Sequence, residues 1–136
     1  MTILIPVDYA PQTERIFQAV KMILGTRVPL PRIVVLHIID ETLLSAGIGN
    51  EQHVFEQLKD NSHKINEMAK EYFGGDFVYI EECGIPRVEI DDVLKNTDFD
   101  MLAFGTKGKS AITNVLFGSM AQHLLQVVKK PFLLVP

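Results

Sequence analysis

Met101-Leu102-Ala103-Phe104-Gly105-Thr106-Lys107-Gly108-Lys109-Ser110 carries an apolar run into a loop of glycine, hydroxyl and lysine, and Gly118-Ser119-Met120 hands that loop to a helical pattern. A short β-type run, a loop and a helix start, in that order, read as part of an α/β unit. The same grammar extends outward in both directions. Ile3-Leu4-Ile5-Pro6-Val7 is ended by Asp8, Ile33-Val34-Val35-Leu36-His37-Ile38-Ile39 by Asp40, and Phe77-Val78-Tyr79-Ile80 leads into Glu81-Glu82-Cys83. Phe132-Leu133-Leu134-Val135 follows last. Runs without polar alternation suit strands covered on both faces, as in a parallel sheet.

Helical periods fill the gaps. Ile16, Ala19, Val20 and Ile23 share a predicted face, and Val54, Phe55, Leu58, Ile65, Met68, Ala69 and Tyr72 form a longer stripe beginning near Asn50. Val88, Ile90, Val93 and Leu94 follow Pro86, a favoured first helical residue, and Met120, Leu124, Leu125 and Val128 make the last helix, which Pro131 stops. The alternation predicts an α/β fold, three-layered and doubly wound, with a mainly parallel sheet and right-handed crossovers. The glycines of Leu43 to Asn50 predict a loop after the second strand, a surface connection by default and a lid over a site as the sharper reading.

Size and charge narrow the function. At 136 residues, 47% hydrophobic and 22% charged, the chain holds one core and reads as a single domain over 1–136. A formal net charge of −4 argues against nucleic-acid binding driven by bulk charge. Cys83, the lone cysteine, cannot form an internal disulfide and fits a reducing compartment. With no basic leader and no apolar run of membrane length, the expectation is a cytoplasmic protein with no membrane role.

In doubly wound sheets, ligands bind beyond the carboxyl ends of the strands, which directs attention to Asp8, Asp40, Gly84 and Gly105. The last is the richest. Glycines let a ligand approach the backbone, and free N–H groups in such a loop and at a helix start attract anions. Thr106, Ser110 and Ser119 add hydroxyls, and Lys107 and Lys109 put positive charge into an otherwise acidic chain. Ser119 suits either a helix cap or a phosphate contact. The segment is not Walker A, which would need glycine at Ala103, and it is not the dinucleotide fingerprint. Its glycines taken singly would be turn formers; their spacing after a strand points to a phosphate cradle.

Gly105-x2-Gly108-x9-Gly118-Ser119 resembles the nucleotide-binding motif of the universal stress protein family, in its ATP-binding branch. The resemblance extends to Ile3–Asp8 as the opening strand, Val35–Asp40 as the second, Gly84-Ile85-Pro86 as the turn into the third helix, and Lys130–Pro136 as the closing strand. It implies a five-stranded sheet of order 3-2-1-4-5. It also implies a cofactor, ATP or else ADP or AMP, with Mg²⁺ as an optional companion. Carried over, Pro6, Val7, Asp8 and Ile38 line the adenosine end, and Gly105, Thr106, Lys107, Gly108, Gly118 and Ser119 hold the phosphates. A carboxylate suits ribose hydroxyls, and an apolar strand end suits adenine. The family often places Ser two residues after the Asp; here Ala10 precedes Pro11, so the first helix is expected to open without that cap.

Other polar residues carry less. His37 reads as a core histidine, and His53, His63 and His123 share no metal spacing and suit solvated or capping roles. Acidic neighbours oppose a thiolate at Cys83. Asp40 is a candidate both for touching ligand or Mg²⁺ and for capping the next segment. No general base is aimed at a γ-phosphate, so a binding module with at most slow hydrolysis is expected. The alternatives are a weak ATPase and a dimeric scaffold that uses no nucleotide. The apolar last strand at a sheet edge, where family members commonly pair, predicts a homodimer through Phe132–Pro136.

Overall fold

β1 (Thr2–Pro6) runs up the middle of the sheet because every side chain from Ile3 to Ile5 is wholly buried, which only a strand covered on both faces allows. The structure is a computed structural model, and it describes residues 1–46, 49–107 and 118–136. From β1 the chain passes through α1 (Pro11–Leu24) to β2 (Arg32–Asp40), then through α2 (Thr42–Ala46) and α3 (Glu51–Phe73) to β3 (Phe77–Gly84). It returns through α4 (Pro86–Asn96) to β4 (Met101–Gly105) on the other side of β1, and ends in α5 (Ser119–Val127) and β5 (Phe132–Val135). The five strands lie in the order β3-β2-β1-β4-β5 and every pairing is parallel. Sequence order and sheet order therefore agree with expectation.

The side-chain alternation of β1 divides the core. Ile3, Ile5 and Val7 join Ile16, Phe17 and Val20 of α1 and Ile65 and Ala69 of α3 on one face. Leu4 joins Leu36, Ile90 of α4, and Leu124 of α5 on the other. Truncating a residue as buried as Phe17 would cost about 3–5 kcal/mol. Two helical faces are narrower than the periodicity suggested: Ile23 is 49% exposed and Val88 60%, each turned off the seam its neighbours pack into.

The start of α1 agrees with expectation, and the chain after β2 differs from it. Ala10 offers no side-chain cap, but Thr13, three residues on, accepts a hydrogen bond from the Ala10 N–H at 3.3 Å and donates its own to the Asp8 carbonyl. The end of β1 is thus clamped to α1 from inside the helix. After β2, the predicted loop from Leu43 begins instead as α2. The Asp40 carboxylate accepts from the Thr42 N–H at 2.9 Å and from the Thr42 hydroxyl at 2.6 Å, which turns the chain at once. Of the roles foreseen for Asp40, the structure displays capping.

Candidate functional site

Where the chain leaves β1 towards β2 on one side and reaches β4 on the other, the crossover helices diverge and leave a crevice. A cleft of about 280 Å³ opens there. Its floor is the carboxyl ends of β1, β2 and β4, through Pro6, Val7, Ile38 and Gly105. Asp8 stands exposed at its mouth, with Lys107 on the loop side. Gly118 and Ser119 complete the wall at the start of α5. The fold therefore gathers eight of the ten expected site residues in one cleft. Thr106 is not in its lining: its N–H donates to the Val135 carbonyl at 3.0 Å, and its carbonyl accepts from the Gly118 N–H at 2.7 Å. Those two bonds tie the loop's start to β5 and to its own far end. Gly108 lies outside the described residues, as do Lys109 and Ser110.

Local geometry sharpens individual roles. Gly118 is the N-cap of α5 with extended backbone (φ −66°, ψ 165°) and Ser119 is the first helical residue. Ser119 therefore does not cap the helix; its exposed side chain makes no hydrogen bond among the described residues. The first amide groups of α5 lack intrahelical acceptors and carry the positive end of the helix dipole. Lys107 is exposed and forms no ion pair among the described residues. Gly105 lets the Gln12 side chain lie close: a Cβ there would stand 2.5 Å from Oε1 and 2.6 Å from Cδ of Gln12, the tip of a flexible side chain.

Several lining residues had no sequence signal. Gln12 reaches the cleft from the first turn of α1, Asn61 from the middle of α3, and Leu43 from α2. Tyr9 adds an aromatic rim, with the Lys64 ammonium 5.6 Å from its ring centroid. His123 pairs with Asp91 at 2.7 Å, joining α5 to α4 rather than standing solvated.

Electrostatics outside the cleft favour structure over chemistry. Partial burial and the charges of Glu41, Glu81 and Glu89 push the Cys83 thiol up, away from a reactive thiolate. Burial would raise the Glu81 carboxyl, but hydrogen bonds to Lys59 and Ser62 outweigh it and hold the group below the usual carboxylate range. Among the described residues no three His, Cys, Asp or Glu side chains converge to hold a metal, and no helix is long and apolar enough to cross a membrane.

Comparison with known proteins agrees with this architecture. The model of the universal stress protein family matches residues 1–136. Universal stress protein MJ0577 of Methanocaldococcus jannaschii is 26% identical over 98% of this chain and 93% of its own length. The solved structure of MJ0577 superposes with a TM-score of 0.83, covering 98% of this chain and 94% of that one. Universal stress protein UspA from Lactobacillus plantarum (TM-score 0.75, 16% identity, 100% and 97% covered) shares the fold. So does a universal stress protein solved in complex with cAMP (TM-score 0.67, 16% identity, 99% and 95% covered). A family match along the whole sequence, on a sheet of the same order and with a cleft at its switch point, shows that the chain belongs to the universal stress protein family.

Proposed function

We propose that this chain is an adenine-nucleotide-binding module, one domain over residues 1–136, that holds ATP, ADP or AMP in the cleft between β1 and β4. The observation that carries the reading is the convergence there of Asp8, Ile38, Gly105, Lys107, Gly118 and Ser119 from four separate segments. Adenine stacks on the apolar ends of β1 and β2, and Asp8 accepts the ribose hydroxyls. The phosphates lie against the start of α5, where unbonded amides, the Ser119 hydroxyl and Lys107 supply positive potential. The motif spacing assigns Gly108, which lies outside the described residues, to the same role. The residues suit an anion: hydroxyls and a lysine at the helix start, with no carboxylate among the described residues there. Mg²⁺ would arrive on the phosphates, since no ready cation cage exists among the described residues.

A relative of this fold solved with cAMP supports an adenine ligand. Hydrolysis is slow at most, because among the described residues the carboxylates lining the cleft are Asp8, at the adenosine end, and Asp40, whose side chain is engaged by Thr42. The protein works in the cytoplasm as a homodimer through Phe132–Pro136, the strand that leaves one edge of the sheet unpaired. Nucleotide occupancy would set its conformation or partners in a stress response.

Denaturing the purified protein and resolving the supernatant by anion exchange should release adenine nucleotide. Calorimetry with Mg-ATP should show binding that Gly118→Val abolishes while the fold persists. Release of no nucleotide, together with a flat titration, would leave the scaffold reading in its place.

A further inference from the structure

At the opposite pole of the sheet lies a second cavity of about 440 Å³, between the end of α1, the segment leading to β2, and the end of α3. β2 alone spans about 30 Å at the usual rise per strand residue, so this cavity and the nucleotide cleft are separate places. Its walls are mainly apolar: Val20, Leu30, Ile33, Tyr72 and Phe73. The aromatic wall is fixed before any ligand arrives. Phe73 packs edge-on against Phe17 at 5.3 Å between centroids. The Tyr72 hydroxyl donates to Glu14 at 2.7 Å and accepts from Gln18 at 3.1 Å, so only its ring remains to face a guest. Leu30 lines the cavity and is 69% exposed, an apolar surface that a guest would remove from water.

The mouth carries charge, only part of which the fold accounts for. Lys21, Arg32 and Asp76 line it, and none of the three forms an ion pair among the described residues. Lys21 sits in the last turn of α1, where the helix dipole accounts for a cation, and its ammonium is 6.0 Å from the Tyr72 ring centroid. Arg32 has no such explanation. The register Ile33↔Phe77 brings Arg32 near Asp76, the residue just before β3, yet the two do not close on one another. Two cations against one carboxylate leave a net positive mouth on a chain whose net charge is −4. An aromatic-walled pocket with a guanidinium at its rim fits a planar or branched apolar group ending in a carboxylate, which Arg binds through two parallel hydrogen bonds.

We propose that this cavity is a second ligand site, independent of the nucleotide cleft, for small apolar or aromatic carboxylates. The test uses the whole ¹⁵N-labelled protein, with phenylacetate as the probe and phenylacetamide as its uncharged counterpart. Phenylacetate should shift amide signals of Val20–Gly25, Leu30–Ile33 and Tyr72–Asp76, and phenylacetamide should bind about tenfold more weakly. Arg32→Gln should erase that preference without altering the fold, since the side chain is exposed; Lys21→Gln serves as the second variant. Equal affinity for acid and amide, shifts scattered over the surface, or a preference that survives both variants would overturn the proposal. So would concentration-dependent shifts of the same residues in the absence of probe, which would mean that a second copy of the chain covers the mouth.

Discussion

Gly105→Ala separates the folding role of the β4 terminus from its role in the cleft. A methyl group at Gly105 would stand 2.5 Å from Oε1, 2.6 Å from Cδ and 3.0 Å from Nε2 of Gln12. All three atoms belong to the tip of a flexible, half-buried side chain, and Gly105 does not hold a positive φ. The carboxamide must therefore swing aside, at about 0.5–1.5 kcal/mol if it leaves a rotamer minimum. Against this, alanine lowers the entropy of the unfolded chain by about 0.4–1 kcal/mol. The net stability change should lie within about 1 kcal/mol of zero. In a Gln12→Ala background the obstruction is gone, and the same substitution should become neutral or slightly stabilising. Ligand binding should behave differently. The methyl group enters the cleft where a nucleotide must approach the backbone, and crowding of that kind costs about 1–3 kcal/mol, or roughly tenfold or more in Kd. That loss should persist in both backgrounds, because it comes from the methyl and not from Gln12. Urea denaturation of the unsubstituted protein, the two single variants and the double variant, with calorimetry against Mg-ATP, gives both cycles. A destabilisation of several kcal/mol that Gln12→Ala fails to relieve would refute the steric account. Unchanged affinity would remove Gly105 from the site.

Three further outcomes are expected. Tyr79→Phe removes a hydroxyl bonded to Ser62 Oγ at 2.7 Å and to the Ser62 carbonyl at 3.0 Å, and should cost about 1–2 kcal/mol in urea denaturation. Burial raises the Tyr79 hydroxyl to about 12, against a Ser62 bond that lowers it. Its neutral form thus contributes stability that is complete below the unfolded value near pH 10 and fades as pH climbs through 12; Tyr79→Phe should lose less stability across that window. Asp40→Ala strips both bonds from Thr42 and should cost about 1 kcal/mol, with faster amide exchange at Thr42 as the local signature. Leu134→Lys puts a charge on the free edge of the sheet, at a residue 37% exposed, and should turn a dimer into a monomer by light scattering; a persisting dimer would place the interface elsewhere.

Much of the fold was legible because it depends on patterns local to each segment. Apolar runs such as Ile33–Ile39 could only be buried strands, Pro11 and Pro86 open helices as they must, and Asp40, Gly84 and Gly105 each end a strand. The less legible parts depended on partners far along the chain. Val88 fits the helical period but faces solvent, since the side of α4 that packs is set by the neighbouring sheet and α5. The short helix α2 was masked by glycines further on, and depends on the Asp40 carboxylate bending back to Thr42.

The sequence by itself determined the strand–helix alternation, the strand ends where a ligand can sit, and the glycine-and-hydroxyl character of the loop after β4, because these follow from residue type and spacing. Only the tertiary structure decided which of them meet. It set Asp8 and Gly105 in one cleft by placing β1 beside β4, turned Thr106 to hold the loop instead of lining it, and brought Gln12 and Asn61 in from two helices. It also left Arg32 and Asp76 side by side but unpaired above an aromatic pocket at the other pole. Strand order and helix rotation are properties of packing, where each choice is made by surfaces tens of residues apart, and no local pattern records them.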